Sequence, residues 1–184
     1  MIVIIAILAV IIYIIISIIK YIINTYNLLV IKKTNVENAW HQLDAQLKRR
    51  YELIPNLVET VKGYAKHESE TLTKVSEARA KALRAKSIKE ISETNNQLTT
   101  LLYAVVENYP DLKANENFKG LQKELAETEN AIVSARKYYN DMVMDYNILC
   151  DKFPTIIIAK LFNFNPAEFY TLPEEEKIAP KVKF

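Results

Sequence analysis

Turn-forming residues are scarce in this chain of 184 residues, which contains two glycines and six prolines. So few of them argue against an all-β fold, because short strands need a tight turn after almost every strand. Two glycines also leave no material for a glycine-rich loop that binds phosphate. The serines lie outside any G-x-S-x-G context, so the pattern of a serine hydrolase is missing as well.

Cysteine and histidine are also rare, with one cysteine and two histidines. Cys150 has no partner for an internal disulfide, and its position in an apolar helical pattern predicts a small core side chain rather than a nucleophile. His67 lacks a second histidine four residues on, so the zinc-protease pattern fails. We therefore expect no enzyme activity, no catalytic residue, no metal and no cofactor; a metal analysis would test the alternative of a metal enzyme.

Charge is close to balanced, with a formal net charge of +2. No segment concentrates basic residues on one face as a nucleic-acid binder does, so we expect no nucleic-acid partner. Residues 32–87 carry 12 Lys and Arg against 7 Asp and Glu, whereas residues 88–153 carry 7 against 11. The two halves should attract each other, although each exposed pair contributes less than about 1 kcal/mol.

The first residues form the longest apolar run, since Ile2–Ile19 contains no charged side chain. Eighteen helical residues span roughly 27 Å, close to the thickness of the hydrocarbon layer. No basic residue precedes the run and no small-x-small triplet follows it, which predicts an uncleaved single-pass anchor rather than a secretory signal. Lys20, Lys32 and Lys33 follow the run, so the positive-inside rule predicts a cell-membrane protein with an outer N-terminus and a cytoplasmic domain.

Two helices are predicted next from apolar residues that recur every three or four positions. The first carries Val36, Trp40, Leu43, Leu47, Tyr51, Ile54, Val58, Val61 and Ala65. Pro55 should kink it, because proline lacks a backbone donor and crowds the preceding turn. It should end near Gly63, and the second helix should cover 70–85 with Leu72, Val75, Arg79 and Leu83 inward.

Two further helices follow from start and stop signals. Ser87 and Glu90 form a capping-box pattern at the start of the third, which Pro110 should end. Asn115 is a suitable N-cap for the fourth, which Pro154 should close. The third helix carries Ile91, Asn95, Leu98, Leu102, Val105 and Tyr109, and the fourth carries Phe118, Leu121, Leu125, Thr128, Ile132, Ala135, Tyr139, Met142, Tyr146, Leu149 and Phe153.

The predicted fold is all-α, with an N-terminal transmembrane helix followed by an up-and-down four-helix bundle. Residues 1–31 form the anchor and a juxtamembrane stalk, and 32–154 form the bundle. An apolar C-terminal segment covers 155–170, and 171–184 should be a flexible tail.

Several motifs of the chain resemble those of the LemA family of bacterial membrane proteins. They lie in 35–64, 109–116, 129–140 and 146–164, among them the sequences LKRRYELIPNLVETVKGY and YPDLKANE. The resemblance implies an N-terminal helix followed by an up-and-down four-helix bundle, with the N-terminus outside. It implies no reaction and no catalytic residue.

A polar cluster is the richest candidate site. Glu52, Asn56 and Glu59 share a helix face, and polar residues of the fourth helix could join them. The cluster is either a docking or relay surface near Pro55 or a buried network that sets helix register. Its candidate members are Arg49, Arg50, Glu52, Asn56, Glu59, Asn130, Arg136 and Asn140.

The apolar C-terminal segment is the second candidate. It is too short to cross a bilayer, but a fourth helix that runs back toward the membrane would carry it to the membrane surface. It could lie in the interface, cover the open end of the bundle or bind a neighbouring protein. The residues concerned are Ile156, Ile157, Ile158, Leu161, Phe162 and Phe164.

Taken together, these features predict a non-catalytic, membrane-anchored bundle that acts as a scaffold or interaction module. The expected partners are the lipid bilayer, further copies of the chain in a homo-oligomer, and envelope or membrane proteins. The alternative is a relay or accessory protein that couples a membrane partner to a cytoplasmic client.

Overall fold

The structure, a computed structural model, describes residues 1–63, 70–109 and 115–171. All regular elements in these ranges are α-helices, which confirms the predicted all-α class. They are α1 (Ile2–Lys62), α2 (Glu70–Arg84), α3 (Ile88–Asn108), α4 (Glu116–Asp151) and α5 (Thr155–Leu161). Ala65, Pro110 and the predicted flexible tail from residue 172 onward lie outside the described residues.

The N-terminal part of α1 is the predicted transmembrane helix. An 18-residue window of it has a mean hydropathy of 3.5, and no residue of that window is buried in protein. A helix that is apolar on every side and has no protein around it is suited to a lipid environment. Length and composition therefore support a membrane-anchoring helix, while its orientation stays a prediction.

The chain divides into two compact units. One contains Met1–Ala39 and Asp141–Ala167, and the other contains Trp40–Asn140 with the residues from Glu168 onward. Two of the three divisions fall inside a helix, because α1 and α4 contribute to each unit, and the third lies between Ala167 and Glu168, after α5. The sequence-based boundaries at 31/32 and 154/155 lie elsewhere and stay predictions.

Four helices meet in the second unit, which is called the bundle below: α1 from Trp40, α2, α3, and α4 up to Asn140. The predicted inward positions supply most of its core; Leu43, Leu47, Ile54, Leu98, Val105, Phe118, Ile132 and Tyr139 are among the buried residues. Leu83 is an exception, because its side chain is 54% exposed and Ala82 is buried in its place. Successive residues of a helix point about 100° apart, so near the end of α2 Ala82 points inward and Leu83 points toward solvent.

Two predicted helix starts are confirmed. The Ser87 hydroxyl accepts a hydrogen bond from the Glu90 amide at 3.2 Å, and the Glu90 carboxylate accepts from the Ser87 amide at 3.4 Å. Asn115 Oδ1 accepts from the Phe118 amide at 3.0 Å at the start of α4. Each cap satisfies amide groups that have no partner within the helix.

The end of α4 differs from the prediction. The helix ends at Asp151, and the Phe153 side chain is 75% exposed rather than part of the core. Pro154 disfavours the helical conformation at the residue before it, so the last inward position is lost. Cys150, one residue before the helix end, is buried as predicted, and burial raises the pKa of its thiol.

Candidate functional site

Arg50 forms the centre of a polar network inside the bundle, where its side chain is 1% exposed. Its Nη1 donates to Glu129 Oε2 at 2.7 Å and to Thr99 Oγ1 at 2.8 Å. Its Nη2 donates to the side-chain oxygen of Asn95. The guanidinium therefore joins α1 to both α3 and α4, and the Glu129 carboxylate compensates its charge.

Tyr51 and Asn95 extend this network between α1 and α3. The Tyr51 hydroxyl oxygen lies 2.6 Å from Asn95 Nδ2 and 2.8 Å from Asn95 Oδ1. Asn95 Nδ2 also donates to the Ile91 carbonyl at 2.8 Å. Burial is the main cause that raises the pKa of Tyr51, so its hydroxyl stays protonated and neutral near neutral pH.

A half-open cleft of about 150 Å³ lies beside the network and is called the bundle cleft. Cavities of about this volume hold one benzene-sized ring. Tyr103 contributes to its wall and is 62% exposed. The other lining residues are Arg50, Leu57, Thr99, Leu102, Val106, Phe118, Gln122, Leu125, Ala126 and Glu129. The cleft is thus mainly apolar, with the Arg50 network as its polar part.

The members of the predicted polar cluster lie on different helix faces. Arg50 is buried in the network, but Arg49, Glu52, Asn56, Glu59 and Asn130 are exposed. Glu52, Asn56 and Glu59 lie roughly 180 to 240° around the α1 axis from Arg50, on the outer face, so they do not join its network. Arg136 is half-buried on α4.

The sequence interpretation missed Asn95, Thr99 and Glu129 as partners of Arg50. One signal was present, because Asn95 occupies an inward position in the pattern of α3, where an apolar residue is the rule. A polar side chain on an inward face needs a partner on a neighbouring helix. The identity of that partner depends on how the helices pack, which the pattern does not specify.

Asn140 binds backbone instead of another side chain. Its Nδ2 donates to the Tyr170 carbonyl at 3.0 Å, and its Oδ1 accepts from the Tyr170 amide at 2.9 Å. Nearby, the Tyr139 hydroxyl donates to the Glu168 carbonyl at 2.7 Å. In the first unit, Asn147 makes the same two-bond contact with Ala167, at 3.0 and 2.8 Å. These bonds attach the irregular C-terminal segment to α4.

The predicted membrane-near segment lies in the first unit, where α5 has a buried and an exposed side. Ile158 and Ala159 are buried, Ile156 is half-buried, and Ile157 and Leu161 are 57% and 66% exposed. After α5, the segment contacts α1 through aromatic rings. The ring of Tyr26 lies 4.9 Å from that of Phe162 and 5.6 Å from that of Phe164, in edge-to-face geometry.

Pro55 creates a further polar contact within the bundle. Since proline has no N–H, the Tyr51 carbonyl lacks its usual donor four residues later in α1. Arg79 Nε of α2 donates to this carbonyl at 2.7 Å. Arg79, which was predicted to point inward, therefore donates a hydrogen bond to the carbonyl that lacks its helical donor because of Pro55.

Metal-ligating side chains are scattered. Within residues 1–63, 70–109 and 115–171, no group of three His, Cys, Asp or Glu side chains lies together where it could hold a metal ion. The absence of a metal site and of enzyme activity stays a prediction.

Comparison with known proteins places these features in a family. Residues 39–184 match the model of the LemA family. Protein LemA of Metamycoplasma hominis is 25% identical over 156 residues, which cover 83% of this chain and 71% of that protein. Magnetosome protein MamQ 2 of Paramagnetospirillum magneticum is 35% identical over 69 residues, and magnetosome protein MamQ of Magnetospirillum gryphiswaldense is 29% identical over 69; each match covers 38% of this chain and 25% of the relative. Because the family model spans most of the sequence, including the Arg50 network and the Asn140 contact, the chain belongs to the LemA family.

Proposed function

We propose that this protein is a non-catalytic, membrane-anchored scaffold that associates with further copies of itself through the bundle cleft. The observation that carries the proposal is the cleft together with the exposed Tyr103 at its wall. An apolar cavity that fits one ring lies beside an exposed ring. Two copies related by a two-fold axis could each place Tyr103 in the cleft of the other, since a two-fold contact uses the same patch twice.

The polar network supports a structural role over a chemical one. The Arg50 guanidinium is compensated by Glu129 and donates to three side chains within the bundle. A network with its members bound to one another fixes helix register and presents a defined cleft wall. The membrane anchor adds a further reason for self-association, because it confines the copies to two dimensions and raises their effective concentration.

The mass of the full chain in mild detergent or in nanodiscs tests the proposal. We expect a defined oligomer whose mass falls toward that of a monomer in Tyr103→Ser. Tyr138→Ser is the matched control, because Tyr138 is also exposed, at 44%, on a bundle helix but does not line the cleft. A monomeric full chain, or equal assembly of both variants with helix content intact, would contradict self-association through this cleft.

The relay is a second candidate, favoured by the bond from Arg79 to the carbonyl that Pro55 leaves free. If this hydrogen bond between the two helices breaks and re-forms, α1 and α2 could alternate between two packing arrangements. Spin labels at Glu59→Cys and Glu77→Cys, with Cys150→Ala, would test this in membranes. Two populations of the distance between the two labels would support a relay, if their relative amounts change with conditions. A single narrow distribution of this distance would favour the scaffold.

A further inference from the structure

Large apolar side chains are exposed around α5 in the first unit. Phe153, Ile157, Leu161 and Phe162 are 75%, 57%, 66% and 45% exposed. Ile157 and Leu161 are four residues apart and share one side of α5, which is turned away from the buried Ala159. An exposed apolar cluster of this kind is typical of a surface that contacts a membrane or another protein.

The ring contacts with Tyr26 favour a membrane over another protein as the partner of this surface. Tyr26 lies seven residues beyond the end of the uncharged run at Ile19, a rise of about 10 Å along α1. The headgroup layer extends roughly 5 to 8 Å beyond the hydrocarbon on each side of a bilayer. Tyr26 therefore lies just beyond the outer edge of the headgroup layer, and Phe162 and Phe164, whose rings contact it, lie close to that edge.

Other apolar side chains of α1 near Tyr26 are exposed as well. Ile23 and Ile31 lie on either side of Tyr26 and are 52% and 56% exposed. The first ion pair along α1 within the described residues follows directly, where Lys32 Nζ lies 2.8 Å from Asp145 Oδ2. Exposed apolar residues of α1 therefore continue past Tyr26 as far as Ile31, and the ion pair of Lys32 with Asp145 follows.

Charges near α5 fit a lipid surface. Lys152 and Lys160 are exposed. In the sequence of positions 151–164, these two lysines are accompanied by one acidic residue, Asp151. Lysines beside apolar and aromatic side chains suit the boundary between acyl chains and phosphate groups, because their long stems reach the headgroups.

We propose that α5 is an interfacial element that lies on the bilayer next to the transmembrane helix, with Ile157 and Leu161 turned toward the lipid headgroups. The protein then has a second contact with lipid besides the transmembrane helix, and this contact limits the rotation of α1 about its own axis. The inference does not depend on self-association through the bundle cleft, which concerns the other unit.

Lipid quenching of a fluorophore tests the proposal in the full chain. The probe is an environment-sensitive label at Leu161→Cys, with Cys150→Ala, in vesicles that contain lipids with a quencher near the headgroup. We expect blue-shifted emission and quenching at least half as strong as at Ile23→Cys, the positive reference on α1. The same label at Leu83→Cys, an exposed leucine of the bundle, gives the background.

Three results would overturn the proposal or support it. Quenching at Leu161→Cys no greater than at Leu83→Cys would overturn it. A blue shift without lipid quenching, which disappears in nanodiscs that hold one copy, would also overturn it, because a second copy would then cover α5. Quenching that persists in single-copy nanodiscs and recurs at Ile157→Cys would support contact with lipid, whatever the oligomeric state.

Discussion

Arg50 is a cation among apolar side chains, and its partners come from two other helices. A buried charge is costly to leave unpaired, because neither water nor a second charge then stabilises it. Asn95, Thr99 and Glu129 supply that stabilisation, at distances that allow good hydrogen bonds. Since Glu129 keeps 25% of its side-chain surface exposed, water shares in the solvation of the acidic partner.

The first prediction concerns this ion pair. Arg50→Met should destabilise the bundle by about 3 kcal/mol, because it leaves the Glu129 carboxylate without its cationic partner and removes one donor to Asn95 Oδ1. Arg49→Met is the matched control, since Arg49 is the exposed neighbour, and should change stability by less than about 0.5 kcal/mol. Urea unfolding of the full chain in mild detergent, followed by circular dichroism, measures both.

The double variant Arg50→Met with Glu129→Leu separates a lost partner from lost packing. Replacing both charges with apolar side chains should recover at least half of the lost stability, since no unpaired charge remains. A double variant as unstable as Arg50→Met alone would show that the guanidinium contributes through its contacts with α3 rather than through the ion pair.

The second prediction concerns pH and Tyr139. Burial, with a smaller effect of Glu168, raises the pKa of Tyr139 from 10 to about 12. In the unfolded chain the hydroxyl ionises first, so its contribution to stability is complete below pH 10 and is lost as the pH rises toward 12. Tyr139→Phe should therefore flatten the fall in unfolding free energy between these values, by up to about 1.4 kcal/mol per pH unit.

The matched control for that experiment is Tyr138→Phe on the same helix, where the ring is 44% exposed. Because 44% of Tyr138 stays exposed, against 1% of Tyr139, this substitution should change the alkaline slope less than Tyr139→Phe does. Equal slopes in both variants would mean that burial of Tyr139 does not contribute to alkaline unfolding.

At the scale of helices, α1 continues through a proline that normally interrupts a helix. Pro55 is exposed and lies inside the helix Ile2–Lys62. The predicted kink at this position stays a prediction, whereas the helix itself continues for seven more residues. The bond from Arg79 to the Tyr51 carbonyl offers a physical reason, because it replaces the donor that proline lacks.

The third prediction tests this replacement. Arg79→Met should cost about 1.5 kcal/mol in the natural sequence, because a charged donor is removed from a carbonyl that lacks its usual donor at position 55. In Pro55→Ala, where residue 55 regains its N–H, the same substitution should cost less than about 0.5 kcal/mol. Unfolding of the four proteins gives the coupling energy directly.

Arg84→Met provides the control on α2, since Arg84 is exposed at the end of that helix. Its effect should be the same with proline or alanine at position 55. Additive effects of Pro55→Ala and Arg79→Met would contradict the idea that Arg79 acts through the free carbonyl.

At the scale of the whole molecule, three lysines are the basis for predicting the direction of the chain across the membrane. Lys20, Lys32 and Lys33 follow the uncharged run Ile2–Ile19. Such lysines are retained on the cytoplasmic side during insertion. A bundle in the cytoplasm is therefore the expected arrangement.

The fourth prediction tests this orientation. A cysteine at the exposed position Ser134, with Cys150→Ala, should react with a membrane-impermeant maleimide only after cells are permeabilised. Replacing the three flanking lysines with glutamate should increase labelling in intact cells, because it removes the charge bias. Full labelling of the natural flanks in intact cells would reverse the orientation.

The sequence by itself predicted the four bundle helices and where two of them start, but neither α5 nor the continuity of the anchor with the first bundle helix in α1. The three- and four-residue spacing of apolar positions predicted the bundle helices, because a helix must turn one face to the core. Ser87 and Asn115 marked helix starts through bonds to amides three residues away. These are local effects, so neighbours in the sequence suffice to predict them.

Only the tertiary structure decided which polar groups meet. Arg50 pairs with Glu129, 79 positions away, and Asn140 binds the backbone of Tyr170, 30 positions away. Tyr26 packs on Phe162, and Phe153 is exposed where the apolar spacing predicted burial. Such contacts depend on which helices pack together and on the path of an irregular segment, and neither has a periodic signature in the sequence.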